Sequence, residues 1–165
     1  MNHLLPNLIE ALREELKQYG EMLALLDQQQ HLVMRRQAGD LLQNIAVINA
    51  QAGAITAARR EREQRQRIVA SRLNLPEAAT FAVITPLLPP NYQPLVQALV
   101  QENNELLVRV QQRARQNHLL LSHAVELMQR LINSIFPGAT PETYDERGRL
   151  PGNGLPQTPL YQAVV

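Results

Sequence analysis

Proline placement constrains this chain more than any other feature. Of eleven prolines, all but Pro6 fall in two clusters, residues 76–94 and 137–159. Proline lacks an N–H and clashes with the preceding helical turn, so it breaks helix interiors. The intervals 7–75 and 95–136 contain none and are rich in Leu, Ala, Gln, Arg and Glu, all good helix formers. The chain therefore reads as all-α. Aromatics make up only 4% of the residues, which argues against a β-sandwich or barrel built on aromatic and β-branched side chains.

The first interval breaks at Gln37-Ala38-Gly39-Asp40. Gly39 suits a helix C-terminus, and Asp40 with Gln43 has the form of a capping box. This predicts one helix over 6–38 and a second over 41–73, with a connector over 74–91 that carries a short helix near 80–87. A third long helix runs over 92–135, with Asn91 positioned to cap it. At 1.5 Å per residue the long helices are rods of roughly 45 to 65 Å. Residues 1–136 form the helical bundle, and 137–165 form a flexible Pro- and Gly-rich tail without periodicity.

Apolar residues repeat with alternating four- and three-residue steps. The first helix shows Leu5, Ile9, Leu12, Leu16, Tyr19, Leu23, Leu26, Gln30 and Val33. The second shows Leu41, Ile45, Ile48, Ala52 and Ile55, then carries Arg59, Arg62 and Gln66 on the same seam before Val69 and Leu73. Such a repeat signals helices wound at a shallow angle, and the short turn makes these two antiparallel neighbours. In that register Leu26 faces Ala52 and Leu12 faces Gln66. The third seam, Val96, Leu99, Asn103, Leu106, Val110, Arg113 and Asn117, places two asparagines at core positions, where they set register at a cost in stability.

The polar features favour scaffolding over chemistry. The run from Arg59 to Arg67 invites a nucleic-acid reading, but it follows its leucine seam rather than preceding it, and the net charge is only +1. The hairpin places it beside Glu10, Glu14, Glu15 and Glu21, which makes it a salt-bridged face. With no Cys there is neither a disulfide framework nor a thiolate metal site, as expected of a reducing cytoplasm. His118 and His123 are five apart and point away from each other on a helix. Ser71, Ser122 and Ser134 lie in helical segments without elbow glycines, and no Gly-rich phosphate loop is present. The expectation is a protein that is not an enzyme, with no cofactor or metal and no membrane insertion. Its N-terminus lacks the basic region and apolar core of a signal peptide.

The third helix is apolar over more than one stripe in its second half. Val125, Leu127, Met128, Leu131, Ile132 and Ile135 form a surface that the hairpin covers only in part, so it is either open to a partner or covered by a short connector helix. In the tail, Tyr144 within Thr143-Tyr144-Asp145-Glu146-Arg147-Gly148 has the look of a short binding motif.

The opening Leu8-Ile9-Glu10-Ala11-Leu12-Arg13-Glu14-Glu15-Leu16 is followed by Tyr19 and Leu23-Ala24-Leu25-Leu26, then by the break at Ala38-Gly39-Asp40-Leu41-Leu42. The third helix carries Glu102-Asn103-Asn104-Glu105-Leu106-Leu107 and Asn117-His118-Leu119-Leu120-Leu121, and the Tyr144–Gly148 segment comes after it. In this order the chain resembles the FlgN family of flagellar export chaperones over about residues 8–148. It departs from the family in its longer tail after Gly148. The resemblance implies a cytoplasmic, non-enzymatic chaperone of hook–filament junction proteins. Such a protein holds their C-terminal segments and delivers them to the flagellar type III export gate. By that resemblance Tyr144 is the export-gate contact; the apolar surface of the third helix, Val125, Leu127, Met128, Leu131, Ile132 and Ile135, is the groove expected to bind the substrate segment. The competing readings are a coiled-coil tether, homodimeric through the third helix, and a nucleic-acid-associated protein using the arginine run.

Overall fold

The computed structural model describes residues 3–135. Four α-helices follow one another: α1 (Leu4–Met34), α2 (Ala38–Arg72), α3 (Phe81–Ile84) and α4 (Gln93–Ile135), with a 3₁₀ turn at Thr85–Leu87 after α3. The described residues contain no strand. Chain contacts divide the molecule into two units, one through Asn117 and one from His118 onward, with α4 contributing to both.

The hairpin turns at residues 35–37, ahead of the expected Gly39. Arg36 takes the left-handed conformation, φ 55°. The Gln37 N–H bonds back to the Leu32 carbonyl at 3.1 Å and the Arg36 N–H to Val33 at 3.1 Å, which together satisfy two carbonyls at the end of α1. Two arginines at the negative end of α1 offset the strain of a non-glycine residue there, because the helix dipole favours cations at its C-terminus. Gly39 and Asp40 consequently lie inside the first turn of α2. Asp40 acts there as a first-turn acid rather than as the opening of a capping box. The same closure ends α2: Asn74 sits at φ 56° and the Leu75 N–H reaches the Ala70 carbonyl at 2.9 Å. Helix α4 begins at Gln93, and its cap is Tyr92 rather than the expected Asn91, since the Tyr92 carbonyl accepts the Val96 N–H at 3.0 Å.

In the unit through Asn117, α1 is the central element. It packs antiparallel against α2, with Asn44 Nδ2 donating to the Leu25 carbonyl (3.2 Å) and Gln51 Nε2 to that of Gln18 (3.0 Å). It runs parallel to α4: Asn103 Nδ2 donates to the Leu12 carbonyl (3.0 Å) and Asn117 Nδ2 to that of Leu26 (2.7 Å). Asn103 and Asn117 lie fourteen residues apart, as do their acceptors, so the two bonds set one register across two heptads. Serving two neighbours, α1 buries a second stripe beside the expected seam: Leu8, Glu15, Met22 and Gln29, at seven-residue steps.

Two apolar clusters fill this unit. One gathers Leu5, Leu8 and Leu12 of α1 with Val69 of α2, Ile84 of α3 and Val96 of α4, so the connector helix closes the end of the bundle that holds the start of α1. The other joins Tyr19, Met22 and Leu26 to Ile48 and Val110, with Ala52 packed on it as the hairpin register anticipates. Among the described residues of the second unit, α4 continues as a single helix to Ile135.

Candidate functional site

Beyond Asn117 the burial pattern of α4 changes. From residue 118 to 135 only Leu121 and Ser122 are even partly buried. Val125, Leu127, Met128, Leu131, Ile132 and Ile135 expose between 43% and 66% of their surface. At 100° per residue, Leu120, Ala124, Leu127 and Leu131 form one stripe, and Leu121, Val125, Met128, Ile132 and Ile135 form the stripe beside it. Together they span an apolar sector of about 160°. His123, Glu126, Gln129, Arg130 and Asn133 occupy the opposite side, where His123 Nδ1 lies 3.8 Å from Glu126. All six residues expected at the substrate groove thus share one continuous face of one helix. The connector helix is committed to the cluster with Leu5 and Leu8 instead. Tyr144 lies outside the described residues.

A second concentration of chemistry, in the unit through Asn117, centres on Glu15. This carboxylate is only 3% exposed. Its Oε2 accepts Arg62 Nε at 2.9 Å and its Oε1 accepts Arg62 Nη2 at 3.4 Å, a forked pairing in which the planar guanidinium matches the carboxylate. The Tyr19 hydroxyl donates to Oε1 at 3.0 Å and in turn accepts Arg59 Nη2 at 2.9 Å. Arg62 also donates to Gln66, whose Nε2 donates to the Ala79 carbonyl at 2.7 Å and so ties the connector to the hairpin.

Burial pushes the Tyr19 phenol above its ordinary value of 10.0; the Arg59 bond opposes the shift and the Glu15 charge adds to it. The bond to the Tyr19 oxygen likewise holds Arg59 above its ordinary value, against the effect of its own burial. Arg59, Arg62 and Gln66 do sit on the inner seam. Of the four acids expected to answer the arginine run, however, only Glu15 does so across the hairpin. Glu10 pairs with Arg13, Glu21 with Lys17, and Glu14 accepts from Gln18, all within α1. The reason is geometric: Glu15 lies on the buried stripe of α1 and the other three do not.

A cleft of about 630 Å³ opens beside this network. Leu12, Phe81, Val100 and Leu107 give it an apolar side, and Arg59, Arg62, Glu63 and Asn103 are among its polar lining. Sequence periodicity could not locate this cleft, which forms where residues from four helices converge.

Among the described residues, no group of three or more His, Asp or Glu side chains is placed to hold a metal ion. No described helix is long and apolar enough to cross a membrane. A protein-family model described as FlgN protein matches residues 1–152. Neither the curated proteins nor the solved structures contain a match to the chain.

Proposed function

The chain belongs to the FlgN family, a family of flagellar export chaperones, and on that premise we propose that its clients dock on the second half of α4. In this reading the clients are hook–filament junction proteins, whose C-terminal segments fold as amphipathic helices against Val125, Leu127, Met128, Leu131, Ile132 and Ile135. Covering that segment prevents premature assembly, and the loaded chaperone then delivers it to the export gate through Tyr144. The role is cytoplasmic and needs no catalytic step.

The observation that carries the reading is the exposed apolar sector of α4. All six side chains leave 43–66% of their surface to water. Burying the rest of one such side chain contributes about 1–2 kcal/mol, offset by the cost of ordering the client. A wide apolar sector on a single helix suits helix-in-groove recognition, which reads anchors at three- and four-residue steps.

The test replaces Met128 and Ile132 together by Asp. Capture of a junction-protein C-terminal peptide, measured by calorimetry, should fall below detection while the circular dichroism stays helical. Unchanged affinity removes the proposal. Tyr144→Ala should leave peptide capture intact and weaken binding to the export gate; equal loss of both contradicts this division of roles. One observation favours a second reading: Asn117, Leu120, Ala124, Leu127 and Leu131 keep heptad spacing, the pattern of a helix that pairs with its own copy. Concentration-dependent dimerisation lost in the same double variant, without client capture by the parent chain, would select that homodimer.

A further inference from the structure

The exposed apolar sector of α4 runs from Leu120 to Ile135, a length of about 22 Å. No charged side chain interrupts it, since His123, Glu126 and Arg130 stand on the other side of the helix. The helix stops at Ile135, so the chain that follows is tethered to one end of the face. Residues 136–165 divide their charges sharply. Glu142, Asp145, Glu146, Arg147 and Arg149 fall before residue 150, and residues 150–165 carry no charged side chain. Leu150, Leu155 and Leu160 recur in that uncharged stretch at five-residue steps, each beside a proline. Most of the stretch, residues 153–165, lies beyond the match to the FlgN family model.

We propose that residues 150–165 are the resting occupant of this face, docking on α4 of their own chain until a client displaces them. Polarity, spacing and reach agree. An uncharged segment with regularly placed leucines meets a sector without charge. Pro151, Pro156 and Pro159 exclude a helix, and in an extended proline-bearing chain five residues advance about 16 Å. Eleven helical residues advance about 16 Å too, which is the step from Leu120 to Leu131 and from Leu121 to Ile132. The link over residues 136–149 can extend to about 50 Å, more than twice the length of the face. A tether of that length supplies an effective concentration near millimolar, so burial of two or three leucines suffices to hold the segment in place. A client helix that buries more of the sector displaces it. The displacement rests on the client reading above; the cover itself does not.

The test uses the full chain with isotope-labelled methionine methyls, in which Met128, 60% exposed, reports the face. The chain has no Cys, so Gln157→Cys gives a single attachment point for a nitroxide between Leu155 and Leu160. The nitroxide should broaden the Met128 methyl signal. Leu155→Ser with Leu160→Ser should restore most of that signal; broadening that survives both changes reflects tethering alone and overturns the proposal. Broadening of a labelled, untagged chain by an unlabelled, tagged one also overturns it, because the segment would then serve a second copy. A segment that covers the face nine-tenths of the time weakens client binding about ten-fold. The Leu155→Ser, Leu160→Ser variant should accordingly bind a junction-protein C-terminal peptide about ten-fold more tightly than the parent, and equal affinity overturns the gating role. If neither chain binds the peptide while the double variant still restores the Met128 signal, the client reading fails and the cover stands.

Discussion

Asn103 and Asn117 make matching bonds from α4 to α1, yet their replacement by leucine should change stability in opposite directions. In Asn103→Leu two hydrogen bonds are lost, each worth about 1 kcal/mol. Their acceptors, Leu12 and Leu99, lie inside α1 and α4 and keep their helical N–H partners. The change also removes a buried Oδ1 without a donor, a relief of about 2 kcal/mol, and adds a buried leucine worth about another 2. The adjoining cleft accepts the added volume. The net expectation is a gain of about 2 kcal/mol, by order-of-magnitude transfer and hydrogen-bond values.

Asn117→Leu starts from the same terms but meets two penalties. Asn117 Nδ2 also donates to Gln29 Oε1 at 3.0 Å, and both residues are fully buried, so breaking this buried amide pair costs about 2 kcal/mol. Asn117 lies outside the cleft, and overpacking there costs about 2 more. The expected net is a loss of about 2 kcal/mol. Urea unfolding followed by circular dichroism reads both variants, as midpoint shifts at constant slope. Destabilisation by Asn103→Leu, or stabilisation by Asn117→Leu, would refute the accounting.

Other outcomes follow from the same geometry. Because folding raises the Tyr19 pKa above 10.0, its contribution is fully present below pH 10 and is lost as pH rises through the folded value. The alkaline decline in unfolding free energy should therefore be shallower in Tyr19→Phe than in the parent chain. Glu15→Ala strands Arg62 beside a buried site and should cost about 3 kcal/mol, measured by thermal unfolding; Arg59, 36% exposed at its side chain, rehydrates and limits the loss. On the face of α4 proposed to hold clients, Leu127→Ala should raise the dissociation constant for a junction-protein C-terminal peptide about ten-fold through lost burial. Its melting temperature should stay within a degree or two of the parent's, because Leu127 is 65% exposed.

Much of the helical plan was legible because proline excludes itself from helix interiors and a seam shows as a heptad repeat. Val96, Leu99, Asn103, Val110 and Asn117 are buried in the order that the repeat of α4 anticipates. Arg113, on the same seam, reaches Asp27 of α1 at 2.7 Å. The exposed apolar sector of α4 was legible for a related reason: an apolar sector too wide for two partner helices is a local property of residues 118–135. The second stripe of α1 was not. A seam reading assumes one partner per helix, whereas Leu8, Glu15, Met22 and Gln29 are buried because α1 serves both α2 and α4. The hairpin break moved from Gly39 to Arg36 because turn closure depends on backbone hydrogen bonds that no single residue type announces.

By itself the chain determined where helices can run, which faces must leave water and how far apart the register-setting amides stand. Those are consequences of covalent geometry and hydrophobic period, both local. Only the tertiary structure decided that α4 runs parallel to α1 in the unit through Asn117, that one buried glutamate rather than four answers the arginine run across the hairpin, and that Arg59 reaches the Tyr19 hydroxyl beside a cleft. Each of these depends on residues far apart in the chain meeting at a few ångströms, and electrostatic pairing weakens too steeply with distance and hydration to be read from order along the chain.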